Sequence, residues 1–296
     1  MLLLMLLSLA TALHACKNSS EHDPSPIVDS GEGPSKSSAV QVMSYNVLQD
    51  DSGRPRGYSW AERKDRVISQ IKINKVDILC AQEDYQNQGE DISRATGFYK
   101  VGVARNTGKA SGSGEFVAIY YNKARFTVRK WGHFWMSETP EVPSKSWDAA
   151  VLRICNWAQF HDKNTGQEFF VFNTHLDHVG SEARLKSAEL LKERIQKIAE
   201  GKPVILAGDM NTTPATAPIT VLKSFMVDSK DVSMAAPEGP EGTYNAMDYN
   251  RPLNRRIDYV FTNNLFRVLA YKVLKEAKDT IYPSDHLPVL ARVELK

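Results

Sequence analysis

A carboxylate beside an imidazole, Asp285-His286, opens the last apolar run of the chain in YPSDHLPVL, and polar groups also close several earlier apolar runs. MSYNV holds Asn46, ILCAQE ends in Gln82-Glu83, and FVFNTHLDH ends in Asn173, His175, Asp177 and His178. VILAGDMN ends in Asp209 and Asn211, and RRIDYVF carries Asp258 between Ile257 and Tyr259. These residue types serve acid–base and metal-assisted chemistry. Each also has an ordinary structural use: a buried Asn can bond to backbone, and an Asp after Gly208 can close a turn. Asp258 is harder to explain that way, because a carboxylate inside an apolar run must be paired if it is buried. Recurrence at the ends of successive strands points to convergence on one site.

The elements that must position these groups follow from periodicity. Apolar runs predict strands at 40–47, 76–82, 116–121, 126–131, 150–160, 168–174, 203–208, 257–262, 267–274 and 288–295. Residues 60–74 read as a helix opened by a capping box at Ser59 and Glu62, with the Ser hydroxyl accepting from a backbone N–H and Glu62 reaching back. Residues 181–199 read as a second helix, with Leu185, Ala188, Leu191, Ile195 and Ile198 at helical spacing and a stop at Gly201. Many strands with few, widely separated helices predict two packed sheets with helices outside them. Residues 102–115 form a Gly- and Ser-rich loop and 232–255 a long polar one, lengths that often serve function.

Bulk properties exclude little. The 296 residues, 42% hydrophobic and 24% charged, are ordinary for a globular chain with a sizeable core. Lys and Arg exceed Asp and Glu by only 37 to 35, so general attraction for polyanions is weak and nucleic acid would need a local basic patch. The opening MLLLMLLSLATALHAC is too short to span a bilayer and reads as an export signal. Its end, Leu13-His14-Ala15-Cys16, resembles a bacterial lipobox with Cys16 as the lipidated residue, although no Lys or Arg precedes the apolar core. Residues 17–38, rich in Ser, Pro, Gly and acids, read as a flexible tether, and 39–296 as one domain. Cys80 and Cys155, inside apolar runs, are expected as buried thiols rather than a disulfide.

The ordered set SYN, QE, NTHLD, GDMN, RIDYV and SDHLPV resembles the endonuclease/exonuclease/phosphatase superfamily across residues 40–296. That superfamily includes DNase I-like nucleases, apurinic endonucleases, inositol polyphosphate phosphatases, neutral sphingomyelinases and deadenylases. FWMSETPEVPSKSWDAAVLRICNW resembles bacterial members, in a style nearest the deadenylase-like branch. The resemblance implies an α/β fold, a four-layer α/β/β/α sandwich of mostly antiparallel sheets with outer helices, and metal-dependent phosphoester hydrolysis.

Carried over by position, the resemblance implies Glu83 as metal-binding glutamate, Asn46 beside it as ligand or orienter, and Asp285 in the same acidic cluster. Such oxygen donors suit Mg²⁺, with Mn²⁺ as a substitute. His286 matches the catalytic histidine and Asp258 the acid bonded to it. Asp209 would orient or deprotonate water and Asn211 would donate to a phosphate oxygen, the two sharing one side of an extended segment. His175 matches a histidine that stabilises the phosphate. Some nucleases carry a further acid two residues beyond the SYN asparagine, where this chain has Leu48, so their second acidic arrangement does not carry over.

Arg153 and Asn173 are the candidates for binding substrate, with Arg255, Arg256 and Lys109 also near the motifs; an ordinary salt bridge competes for each arginine and for the lysine. Trp131, Phe134, Trp135 and Trp147 are expected in the core rather than as an aromatic platform. The expectation is an exported, lipid-anchored, periplasm-facing or cell-surface monomer that hydrolyses a phosphoester, diesters favoured. A monoesterase of the inositol-phosphatase type is the alternative. Nucleic acid and lipid stand among the candidate substrates, with the membrane as partner through Cys16. A non-catalytic binding protein on the same fold would predict loss of at least one catalytic position, yet all are present.

Overall fold

The computed structural model describes residues 37–51 and 53–296. The export signal, Cys16 and all but the last two residues of the expected tether lie outside the described residues. In chain order the elements are β1 (Val40–Asn46), α1 (Trp60–Ile73), β2 (Ile78–Gln82), α2 (Gln86–Thr96), β3 (Tyr99–Val101) and β4 (Ile119–Tyr121). They continue with β5 (Phe126–Trp135), β6 (Ile154–Asp162), β7 (Glu168–His175), α3 (Ser181–Ala199) and β8 (Val204–Asp209). The last are α4 (Ala217–Lys223), β9 (Val227–Asp228), β10 (Asp258–Thr262), β11 (Phe266–Val273) and β12 (Val289–Leu295).

Two six-stranded sheets result, ordered β11-β12-β1-β2-β4-β3 and β5-β6-β7-β8-β10-β9. Pairing is antiparallel except for the parallel β1–β2 and β7–β8 pairs. Alternation along each strand builds the layers. Val42, Ile78 and Cys80 of one sheet face Phe160, Val171, Ile205 and Val260 of the other in a shared core. The opposite faces carry helices: Met43, Leu79 and Ala81 pack with Val67 and Ile71 of α1 and Ile92 of α2. Phe172, Leu206 and Tyr259 pack with Leu191 and Ile195 of α3 and Ile219 of α4. The molecule is the expected four-layer α/β/β/α sandwich. Among the described residues no helix is long and apolar enough to cross a membrane.

The long helices and most strands stand where periodicity puts them, and Cys80 and Cys155 are buried free thiols. The expected capping box forms: Glu62 reaches the Ser59 backbone N–H at 3.4 Å, and the Ser59 hydroxyl also donates to Glu62 at 2.6 Å. The strand expected from 150 begins only at Ile154, because Ala150 and Val151 donate their N–H groups to Asp177 and turn there instead. Helix α2 escapes a periodicity reading because QNQGEDISRAT is polar with a central glycine. That glycine, Gly89, is needed for close approach, since a Cβ there would lie 2.2 Å from the Tyr120 hydroxyl. Trp131 departs from the core expectation: it is 48% exposed on the edge strand β5, whereas Phe134 and Trp135 are buried and Trp147 is half-buried.

Candidate active site

The inward-facing rows of the core continue upward into polar residues. On β1, Val42 and Ser44 lead to Asn46; on β7, Val171 and Asn173 lead to His175; on β8, Ile205 and Ala207 lead to Asp209; β10 runs the other way and starts at Asp258, the register partner of Asp209, with Val260 below it in the core. His175 is in register with Asp209 from the other side. The site is therefore the open end of the inter-sheet layer, a cavity of about 380 Å³. Glu83, His175, Asp209, Asn211, Asp285 and His286 line it, joined by Arg105, Glu115, Arg153, Tyr244 and Arg255.

Local sequence explains the delivery. Ser284 donates its hydroxyl to the Asn46 carbonyl at 2.7 Å and accepts the His286 N–H at 3.2 Å, so the SDH turn is tied to the end of β1. The loop before β10 clamps the same turn through Asn245, whose N–H reaches the Asp285 carbonyl at 2.8 Å. Thr243 Oγ1 accepts the Ile257 and Asp258 N–H groups at 3.0 and 3.1 Å. Gly208 is demanded by the parallel β7–β8 pair: a Cβ there would sit 2.1 Å from the Thr174 carbonyl oxygen. Glu83 leaves β2 in a left-handed conformation, φ 55°, that turns its carboxylate to the cavity.

Asp209 is the centre of the arrangement. Its Oδ2 lies 3.2 Å from Asn46 Nδ2, 3.4 Å from His175 Nε2 and 3.7 Å from His286 Nε2. His286 Nδ1 meets Asp258 Oδ2 at 2.9 Å. Burial opposes a charge on His286, but Asp258, Asp209 and Asp285 outweigh it and raise its pKa well above the ordinary imidazole range. His175 behaves oppositely: burial and the Arg153 charge hold its pKa down at about 3, so it is neutral. Its Nε2 accepts from Asn211 Nδ2 at 3.0 Å, which leaves the proton on Nδ1, 3.5 Å from Glu115. Asp209's own pKa is raised, by burial first and then by Asp258.

The acidic groups have room for a cation. Glu83, Asp209 and Asp285 line the same cavity, and Asp285's pKa is raised by burial, with the Glu83 and Asp209 charges adding to it. A divalent ion on these oxygens would relieve that repulsion, so the donor set fits one. Asp209, Asp258 and His286 also bring ligand atoms within 4.8 Å of one another. There, however, the Asp258–His286 pair already satisfies Nδ1, which favours Glu83 and Asp285 as principal holders. Asn46 donates to Glu83 at 3.1 Å and to Asp209, while its Oδ1 accepts the Leu48 N–H at 3.0 Å, so in this orientation it aligns the carboxylates.

Other positions differ from expectation. Asn173 does not reach the cavity: its Nδ2 donates to the Ala81 and Ala118 carbonyls at 2.9 and 2.8 Å, and it ties the two sheets together. Asn211 does reach it, but not along an extended segment. β8 ends at Asp209, and Asn211 is left-handed with φ 49°, its N–H donated to Asp209 Oδ1 at 2.8 Å. Its amide protons go to His175 and the Leu176 carbonyl, so it orients that imidazole. Arg153 and Arg255 line the cavity, whereas Arg256 is buried against Asp228 at 2.7 Å and Lys109 is exposed outside it. Arg105, Glu115 and Tyr244, which sequence reasoning left unassigned, belong to the two long loops it singled out.

The family model for the Endonuclease/Exonuclease/phosphatase family matches residues 43–286. A solved family protein from Bacteroides thetaiotaomicron is 34% identical, with TM-score 0.82 over 87% of this chain and 98% of that one. A mannosyl-6-phosphatase from Bacteroides thetaiotaomicron VPI-5482 is 35% identical, with TM-score 0.80 over 86% of this chain and 99% of that one. Among curated relatives, the CCR4-Not complex 3'-5'-exoribonuclease subunit Ccr4 of Aspergillus niger is 23% identical over 87% of this chain, which spans 52% of that relative's length. With its site at the open end of a four-layer sandwich, the chain belongs to the endonuclease/exonuclease/phosphatase family of phosphoester hydrolases.

Proposed function

We propose that the protein is a divalent-metal-dependent phosphomonoesterase acting on the phosphate of a small polar alcohol such as a sugar, with Mg²⁺ as the expected ion. The observation that carries the reading is the arginine-bearing wall of the cavity. Arg105, Arg153 and Arg255 line it, and among the described residues Arg153 Nε and Nη1 have no hydrogen-bond partner although the side chain is buried. A monoester dianion has one more charge and one more terminal oxygen than a diester, and this wall suits both. The likeness to a mannosyl-6-phosphatase over nearly the whole of both chains supports a sugar phosphate. This favours the monoester alternative over the diester that the motifs alone suggested.

A divalent cation held by Glu83 and Asp285 would polarise a phosphoryl oxygen as a Lewis acid. Asp209, with a raised pKa and an oxygen facing the cavity, orients the attacking water and takes its proton. As the P–O ester bond breaks, His286, kept charged by Asp258, is the acid that gives a proton to the departing alcohol oxygen, not the base. Neutral His175, oriented by Asn211, lines the same cavity and shapes it, its Nε2 being taken by the Asn211 amide.

The test is release of inorganic phosphate from mannose 6-phosphate, compared with hydrolysis of bis-p-nitrophenyl phosphate, each with Mg²⁺ and with chelator. We expect kcat/KM for the monoester to exceed that for the diester by at least tenfold. A diester preference would return the reading to a phosphodiesterase. We also take the reaction to run outside the cytoplasm on a lipid anchor, from the motif Leu13-His14-Ala15-Cys16. Cys16→Ser should then leave the membrane fraction, and unchanged retention would refute the anchor.

A further inference from the structure

We infer that Glu115 is a positioning residue that holds Arg105 and Arg153 together as one binding site for a phosphate dianion. Glu115 closes the Gly- and Ser-rich loop, and its side chain is only 6% exposed. Oε1 meets Arg105 Nη1 at 2.6 Å, lies 3.9 Å from Arg153 Nη1 and 3.5 Å from His175 Nδ1. The loop is built to bring this about. The Arg105 N–H donates to the Glu115 carbonyl at 2.9 Å, and the Trp135 indole donates to the Arg105 carbonyl at 2.7 Å.

Both arginines have capacity left over, Arg105 at Nε and Arg153 at Nε and Nη1; Arg153 has the more. Its Nη2 donates to His178 Nδ1 at 3.1 Å, but Nε is 3.7 Å from Asp177, beyond hydrogen-bond length. Asp177 is occupied elsewhere, by the N–H groups of Ala150, Val151, Val179 and Gly180. Two guanidinium groups repel at this range, and without a carboxylate between them the more exposed Arg105 would turn to solvent. The pair is thus held ready for an anion richer in charge and oxygens than the carboxylates around it. The dianion's identity as substrate rests on the phosphomonoesterase reading; the architecture of the pair does not.

The sign of one measurement decides the role. Deleting a buried negative charge should, by charge alone, tighten anion binding, whereas losing a positioning group should weaken it. Wild type and Glu115→Gln are titrated calorimetrically at pH 8 with inorganic phosphate and with dimethyl phosphate, in Mg²⁺ and in chelator. The inference predicts that the Kd for inorganic phosphate rises at least tenfold in the variant under both conditions. The dimethyl phosphate Kd should stay within about threefold. Unchanged or tighter phosphate binding would overturn it, as would a parallel loss for both ligands or a wild type that does not bind phosphate. Should Glu115→Gln fail to fold, Arg105→Gln must show the same selective loss. If phosphate binding behaves as predicted but no monoester is turned over, the substrate reading fails and the role of Glu115 stands.

Discussion

Two buried imidazoles flank the Asp209 carboxylate, one charged and one neutral, and the difference lies in the charges around them, carboxylates for His286 and the Arg153 guanidinium for His175. His286 has Asp258 to itself at 2.9 Å, whereas the acid near His175, Glu115, is committed to Arg105 at 2.6 Å. Asp258→Asn removes the charge that stabilises the imidazolium, so kcat should fall by about 10²–10⁴ with little change in KM, as measured by steady-state kinetics. A kcat within threefold of wild type would remove Asp258 from the mechanism. Asp258 was legible in the sequence because a carboxylate in an apolar run needs a partner. Asn173 misled for a reason of depth: it shares a strand face with His175 but sits two residues, about 6–7 Å, further down, where the sheets close over it. Glu115 and Arg105 carried no signal, since a loop's letters do not say where its ends return.

At the scale of elements, the site depends on strand ends and the turns that follow them. Gly208→Ala would drive a methyl group into the Thr174 carbonyl, 2.1 Å away, and force β7 and β8 apart. The variant should lose upwards of about 2 kcal/mol in denaturant unfolding and lose activity with it; full stability would mean the strands can shift. Asp177 is the other fastening, gathering the residues before β6 and the entry to α3. Burial would raise its pKa, but four backbone N–H groups outweigh this and hold it down at about 2. Because the folded value lies below the unfolded one near ~3.9, the stabilisation is complete above about pH 4 and disappears as pH falls towards 2. Asp177→Asn should therefore cost about 1–2 kcal/mol at pH 7, and the Tm gap to wild type should narrow as pH falls from about 4 towards 2. A gap independent of pH would contradict this. Strand positions were readable from alternation; α2 was not, because its glycine and polar face serve contacts that no period records.

Across the whole molecule, the two sheets meet at the end far from the cavity through Arg125. Its guanidinium reaches Asp162 at the end of β6 at 2.8 Å, Asp77 just before β2 at 3.1 Å and the Ala39 carbonyl at 2.8 Å. Arg125→Ala leaves the buried Asp162 and the half-buried Asp77 without their cation and should cost about 3 kcal/mol in global unfolding; a loss below about 1 kcal/mol would show that the sheets hold without this tie. The sandwich itself was legible as many strands with few helices, and the site as polar ends on strands that share one layer. On the proposed function, the open end of this layer directs water to phosphorus. Hydrolysing mannose 6-phosphate with Mg²⁺ in ¹⁸O-labelled water and finding where the label goes tests this directly. One labelled oxygen should appear in the released phosphate and none in the sugar, and no phosphate should be released in chelator. Label in the sugar, or undiminished release in chelator, would contradict it.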